Sequence, residues 1–205
     1  MKELFFMAIV VLIGAKNGLT QNEVKVFQAR IDMEEQAWPI VDHAPVLDNV
    51  CPNTINITAT SHLKSYKGIN YKAENLTKLN KNAWSEGVKG NGLGQTLEVR
   101  IKEKIANYEP WRLSSQWLLI NGYIKDQQTW ENNTRVKQFE IYKNDRLLGV
   151  LNVKDTPFVQ TFNIAELAYG TLKIGDCITF KITAIYEGEK YDDTCLSLLV
   201  PTCAS

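Results

Sequence analysis

The chain has 205 residues, 44% of them apolar, which is material for one hydrophobic core and leaves little room for a second. Lys plus Arg and Asp plus Glu each number 23, so the formal net charge is zero. That balance excludes the basic excess of a nucleic-acid binder and the polybasic patch of a protein held on a membrane surface.

The first feature in chain order is a targeting signal. Lys2 precedes an unbroken apolar run over residues 4–13, and Gly14, Ala15 and Gly18 then supply small side chains. A run of about ten residues is too short to span a bilayer and suits the hydrophobic centre of a signal peptide. Residues 1–20 are therefore expected to be cleaved, near Thr20 or Gln21, leaving no membrane-inserted segment. Removal of Lys2, Lys16 and Glu3 leaves a net charge of −1. Export puts Cys51, Cys177, Cys195 and Cys203 in an oxidising compartment, whether secreted or periplasmic. Four cysteines allow three full pairings, and their spacing alone does not choose among them. Asn56, Asn75 and Asn132 begin Asn-x-Ser/Thr triplets, read as chance in an Asn-rich chain.

Residues 21–54 read as an N-terminal extension that packs on the domain or leads into it. Val24, Val26 and Phe27 suggest a short strand and residues 33–37 a helical turn. Pro39, Pro45 and Pro52 interrupt regular structure. Residues 55–203 read as one all-β domain. Strands are expected at 55–58, 95–102, 117–121, 137–143, 147–153, 158–164, 177–186 and 196–200. Alternation carries these assignments: Leu97, Val99 and Ile101 oppose Thr96, Glu98 and Arg100, and Ile178, Phe180 and Ile182 share a face. Asn144-Asp145 marks a turn, residues 71–79 a loose helical coil, and residues 103–114 a connection broken by Pro110. About eight short antiparallel strands separated by turns indicate a β-sandwich.

The segment WSEGVKGNGLGQ, residues 84–95, holds four of the 12 glycines: Gly87, Gly90, Gly92 and Gly94. Such density marks positive-φ positions or close backbone approaches. Trp84 and Glu86 stand at its head, and it runs straight into a strand, a common setting for a binding loop. It is not a phosphate loop, because the spacing and the following Lys-Ser/Thr are missing and no helix follows.

Catalytic chemistry is poorly supported. His43 and His62 lie in no nucleophile motif. Glu86 could face Asp192 or Asp193, which keeps a glycoside hydrolase as the last of three readings. Metal-ligand spacings are absent, and no cofactor or metal is expected. The aromatics are more suggestive: Trp84, Tyr123, Trp130, Tyr186 and Tyr191 fall in or beside loops. Sugar rings stack on such side chains, and Asn121, Asn132, Asn133, Arg135, Asp192 and Asp193 offer groups for hydroxyls.

Four segments, YKAENLTKLNKNAWSEGVKGNGLGQTLEV, INGYIKDQQTWENNTRVKQFEI, VKDTPFVQTF and IYEGEKYDDTCLS, occur in that order. Together they resemble the discoidin-like domain of secreted bacterial NAD glycohydrolase toxins. This is their translocation domain, also called the NADase-type glycan-binding domain, within the coagulation-factor type C, galactose-binding-like group. The resemblance covers roughly residues 55–200. It implies a jelly-roll β-sandwich that recognises a glycan or glycoconjugate through loops at one end. The carried-over ligand residues are Trp84, Glu86, Asn91, Asn121, Asn133, Arg135, Tyr191 and Asp192, with Trp130 as an alternative stacking face. The chain departs from the pattern at Leu79-Asn80-Lys81-Asn82, where relatives carry an Asp-Gly-Asp turn. Residues 21–54 are also too few for an attached enzyme, so the expectation is a binding module acting alone or beside a separately encoded enzyme or surface partner. The resemblance further implies that the ends of the sandwich lie close together, favouring a Cys51–Cys203 bridge over a rival Cys177–Cys203. The leading expectation is an exported, non-catalytic carbohydrate-binding module. An envelope structural or adaptor domain with no sugar site stands second.

Overall fold

The computed structural model describes residues 24–31, 50–79, 82–102, 113–167 and 172–203. The expected signal peptide, His43, the turn at Asn80-Lys81 and the connection through Pro110 lie outside the described residues.

Among these residues eleven strands build a two-layered sandwich. One layer runs β2 (Arg30–Ile31), β9 (Val159–Asn163), β6 (Leu113–Asn121), β11 (Tyr191–Cys203), with the short β4 (Trp84–Ser85) also on β11. The other runs β3 (Ile55–Ala59), β5 (Thr96–Ile101), β10 (Cys177–Tyr186), β7 (Asn133–Lys143), β8 (Arg146–Asn152), β1 (Val26–Gln28). Pairing is antiparallel except for β1 on β8 and the start of β11 on the start of β7. The expected strands are all present, several of them longer than their alternation suggested. The sandwich also takes in residues 24–31 from the expected extension, since β1 and β2 join opposite layers.

Alternation explains the layers. Leu97 and Val99 of β5, Phe139 and Ile141 of β7 and Ile178, Phe180 and Ile182 of β10 all point into the space between the sheets. Trp117, Leu119, Phe162 and Leu199 meet them from the other layer. Phe180 is the hub, with ring centroids 5.6 Å from Trp117, 5.8 Å from Phe139 and 6.2 Å from Phe162. Tilted and edge-on contacts of this kind add to the burial itself. The central strand β6 is buried on both faces: Leu118 and Ile120 pack outward with Leu198, Val200 and Val159. This explains why residues 117–120 are continuously apolar and do not alternate.

A β-bulge shapes β11. The register with β6 shifts between Leu196 and Leu198, so Leu196 faces the inner core while Leu198 faces outward. Ser197 at the shift donates to the Gly122 carbonyl (2.7 Å) and accepts from Ile124 N–H (3.2 Å), fixing the loop that leaves β6. The β7–β8 hairpin turns at Asn144 and Asp145, with φ of 46° and 66°, as a two-residue turn of positive φ requires. Cys51 and Cys203 form a disulfide with Cα atoms 5.5 Å apart, pinning the entry of the domain to its last strand. It closes 152 residues, which in the chain-entropy account stabilises by on the order of 5 kcal/mol. Cys177 and Cys195 are free.

Candidate functional site

Three loops and two strand starts meet at one end of the sandwich. Glu86 N–H donates to the Thr194 carbonyl (3.1 Å), and Thr194 Oγ1 donates to the Asn91 carbonyl (2.7 Å), binding the glycine loop to β11. Lys190 N–H donates to the Asn132 carbonyl (3.1 Å), joining the β10–β11 loop to helix α1 (Gln127–Asn132). Helix α1 was missed by the sequence reading. Asp126 caps it by accepting from Thr129 N–H (2.7 Å).

The glycine-rich loop owes its residues to geometry. Gly90, Gly92 and Gly94 have φ of 107°, 70° and 83°. At Gly92 a Cβ would also stand 2.6 Å from Glu86 Cγ, so any side chain there would displace the glutamate. Gly87 has no positive φ; its lack of a side chain admits the His62 carbonyl.

Most of the expected ligand residues are buried and already engaged, which corrects their assignment. Trp84 is a core residue whose Nε1 donates to the Ser61 carbonyl (3.0 Å). Asn121, fully buried, donates to the Val136 carbonyl (2.8 Å) and accepts from Val136 N–H (3.0 Å). Asn133 is buried and donates to the Thr129 carbonyl (2.7 Å). Trp130 is half-buried; its Nε1 donates to the Asn121 carbonyl (2.9 Å), and the Arg135 guanidinium covers its ring at 4.3 Å. Asn91 is half-buried, its carbonyl taken by Thr194.

Arg135 is the largest correction. Its Nε and Nη2 grip Asp155 at 2.7 and 3.2 Å. Nη1 donates to the carbonyls of Trp130 (3.1 Å), Glu131 (3.3 Å) and Asn133 (2.9 Å). A planar fork of donors suits a carboxylate or vicinal hydroxyls, but here it is aimed at Asp155 and three backbone carbonyls. Arg135 clamps the helix end and the start of β7, with all three of its nitrogens engaged by the protein.

Tyr191 and Asp192 do reach the surface, and the sequence reading passed over two further tyrosines, Tyr66 and Tyr71. Tyr66 is 62% exposed. It begins a tight turn through Lys67 and Gly68, with φ of 47° and 81°, closed by paired backbone bonds with Ile69 (3.0 and 2.9 Å). A Lys-Gly pair between Tyr and Ile was the available signal. Tyr71 crosses Tyr123 edge-on, ring centroids 6.3 Å apart, with Cys195 and Ala83 beneath them. Ser85 pairs with Cys195 across β4 and β11, and Ser85 N–H donates to the Tyr71 carbonyl (3.3 Å).

The electrostatics of this corner are one-sided. Glu86 is fully buried; Val88 N–H donates to its Oε2 (2.7 Å), while Oε1 has no partner. Burial holds Glu86 above the ordinary carboxylate range, and the charges of Asp193 and Asp192 add to this against the Val88 bond. Burial, then Asp192, likewise raises Asp193. Burial pushes the Cys195 thiol up to about 12 and leaves it unreactive, and Tyr123 also rises to about 12 by burial. Burial, then Cys195, Asp193 and Tyr66, raise Tyr71, so each of these groups lies within electrostatic reach of Tyr71. Glu86 is closed to solvent, so the expected pairing with Asp192 or Asp193 does not make an open two-carboxylate cleft. Among the described residues no group of three His, Cys, Asp or Glu side chains is placed to hold a metal ion.

Fold and loop end define a discoidin-like β-sandwich of the binding-module type. The sequence profile of the NAD glycohydrolase translocation F5/8 type C domain matches residues 50–200, and the chain belongs to that family. The CBM32-1 and CBM32-2 domains of Clostridium perfringens ZmpB, in complex with GalNAc, are 13% identical with a TM-score of 0.52, over 87% of this chain and 42% of that one. A ZmpB structure holding the same modules and a catalytic domain is 11% identical with a TM-score of 0.52, over 91% of this chain and 17% of that one. CpGH89CBM32-5 from Clostridium perfringens, in complex with GalNAc-β-1,3-galactose, is 13% identical with a TM-score of 0.48, over 75% of this chain and 99% of that one. At such identities the likeness concerns the fold alone, and this chain spans less than half of either ZmpB structure. No curated protein matches. The matched family and the CBM32 modules are translocation and carbohydrate-binding domains, not catalytic ones.

Two variants test this description. Arg135→Ala leaves three carbonyls and Asp155 without their donor and should cost on the order of 3 kcal/mol in chemical denaturation, with Arg135→Lys recovering little. A loss within about 0.5 kcal/mol, the range of ordinary surface substitutions, would contradict the clamp. Glu86→Gln tests the buried carboxylate. A carboxyl raised by folding stabilises below its unfolded pKa and loses that contribution as pH rises through its folded pKa. Glu86→Gln should therefore melt about 2–4 °C above the parent at neutral pH, the response of a domain this size to ~1 kcal/mol. The two proteins should converge near pH ~4, where both side chains are uncharged. A pH-independent gap would show that Glu86 does not carry the buried charge.

Proposed function

We propose that this protein is an exported, non-catalytic carbohydrate-binding module that takes its glycan on the surface around Tyr66, Tyr71 and Asp193. The observation that carries the reading is the exposed Tyr66 ring beside polar groups that bond to nothing else among the described residues. Neither the Asp193 carboxylate nor the Tyr71 hydroxyl has a protein partner there. An apolar ring face next to unsatisfied hydroxyl and carboxylate groups is what a sugar needs, C–H face on the ring and hydroxyls on the oxygens. Tyr191, 44% exposed, offers a second ring. Family membership and the CBM32 likeness support the class, and the ZmpB modules have been solved with GalNAc. A partner enzyme or surface protein would supply whatever chemistry follows binding.

A glycan array probed with the protein should return a discrete set of hits. Tyr66→Ala should weaken them roughly tenfold, the cost of a lost stacking face, without moving the melting temperature. A blank array, or hits untouched by both Tyr66→Ala and Asp193→Ala, favours instead an adaptor domain with the same fold and no sugar site.

The export part of the proposal rests on residues 1–20. Mass spectrometry of protein recovered from its own host should find a new N-terminus between about residues 16 and 23. A mature protein beginning at Met1 refutes it.

A further inference from the structure

The arm over residues 61–71 is exposed at its tip but tied down at both feet. On the outgoing limb Leu63 N–H donates to the Ser85 carbonyl (2.8 Å), and Gly87 N–H donates to Ser61 Oγ (3.0 Å). On the returning limb the Asn70 carbonyl accepts from Asn75 Nδ2 (2.9 Å) and the Tyr71 carbonyl from Ser85 N–H (3.3 Å). Between these feet the chain reverses at Lys67 and Gly68, with Tyr66 and Ile69 paired across the turn. A ring held on such a support loses little freedom when a ligand lies against it.

The first residue of that turn is not the one its backbone favours. Both central positions have positive φ, which calls for Asn-Gly in a two-residue turn. Among the described residues only three non-glycines have positive φ. Asn144 and Asp145 are of the types that tolerate it, and Lys67, at 47°, is not. The fold makes no use of its ammonium: Lys67 forms no ion pair among the described residues, and neither do Lys64 and Lys72 on either side of it. Residues 61–73 contain no Asp or Glu to attract it. Lys67 Nζ stands 5.3 Å from the centre of the Tyr66 ring, and Tyr66 itself is 62% exposed. An unfavourable backbone conformation that no packing or ion pair explains points to function.

We propose that Lys67 is the specificity-determining residue of the glycan surface and selects a sugar that carries a carboxylate, as uronic and sialic acids do. This rests on the carbohydrate-binding reading above and narrows its ligand. The sugar ring lies on Tyr66 while its carboxylate meets the Lys67 ammonium, so one turn supplies both the apolar face and the charge. Lys64 and Lys72 add to the positive potential along the arm. Asp192 and Asp193 repel an anion, so the sugar turns its carboxylate to the arm and its hydroxyls to the start of β11.

Titration calorimetry at about pH 7, well above the roughly 4 of a carboxyl and below the roughly 10 of a lysine, keeps both groups charged. Galacturonate and glucuronate oligomers would be compared with their methyl esters of the same length, and sialyllactose with its methyl ester. Polyglutamate serves as an anion that has no sugar ring. At least one acid should bind roughly tenfold more tightly than its ester, the low end of a charged hydrogen bond. Lys67→Asn and Lys67→Gly should both remove that difference. Both residues suit a left-handed turn, so the melting temperature should hold or rise, which a residue kept for the fold would not allow. Esters that bind as well as the acids, or a preference that survives both variants, overturn the inference and leave the glycan-binding reading standing. A lower melting temperature for both variants overturns it by giving Lys67 a structural role. Polyglutamate binding as tightly as the acidic sugars overturns it by showing plain charge attraction. No binding of acid or ester also overturns it, and the glycan array then decides the broader reading by itself.

Discussion

The amide of Asn121 is the interaction on which the rest of this structure depends. It sits at the end of β6, in one layer, and satisfies both the N–H and the C=O of Val136 on β7, in the other. Where two sheets come together at a splayed end, strand edges leave backbone groups facing protein and not water. Each such group unpaired costs about 1–3 kcal/mol. One side-chain amide, which carries a donor and an acceptor side by side, closes that gap as a strand would. Its second N–H reaches the Lys154 carbonyl (3.2 Å), and its own carbonyl holds Trp130 (2.9 Å). Trp130 then provides the face on which Arg135 lies, and Arg135 gathers three carbonyls and Asp155. The start of β11 can run parallel beside β7 because this network has already fixed where β7 begins.

That rigidity decides which residues are free to act. A side chain whose every polar atom is bonded within the protein can hold a surface in place but cannot recognise anything. By that criterion Asn121 and Arg135 build the platform. Tyr66, Tyr71, Asp192 and Asp193 stand on it with their polar groups uncommitted. The two sets meet where the start of β11 pairs with the start of β7, which is why motifs spanning both identify the fold so much better than the ligand.

The strands were legible because period-2 alternation is a local signal, and Leu97, Val99, Phe139, Ile141, Ile178 and Phe180 all face the core as their spacing requires. Helix α1 was hidden: its six residues, QQTWEN, are polar apart from Trp130, and the Asp126 cap lies in a stretch that also reads as loop. The length of β11 was hidden by its bulge, which breaks the alternation at Ser197, and by Pro201, which argues against a central strand. The role of Arg135 was illegible for a different reason. Three of its acceptors are backbone carbonyls, which every residue possesses and no sequence pattern marks. Tyr66 was overlooked because an exposed aromatic differs from a buried one only in tertiary context.

A net charge of zero says little about any one surface. Among the described residues the pairs Lys143 with Asp176, Lys181 with Glu140, Arg100 with Glu98 and Lys25 with Glu166 lie along the sheets and their rims, and Arg135 with Asp155 lies at the loop end. Each pairing neutralises a patch and is worth little for stability where it is exposed. Glu86, which is fully buried, and Asp192 and Asp193 form no ion pair among the described residues, although the chain as a whole is balanced. Field lines concentrate where the surroundings exclude water, so a small local excess at a half-buried corner sets the sign of what approaches it. Selectivity for the charge of a ligand then follows from where the chain leaves its charges unpaired, and composition alone gives no hint of it.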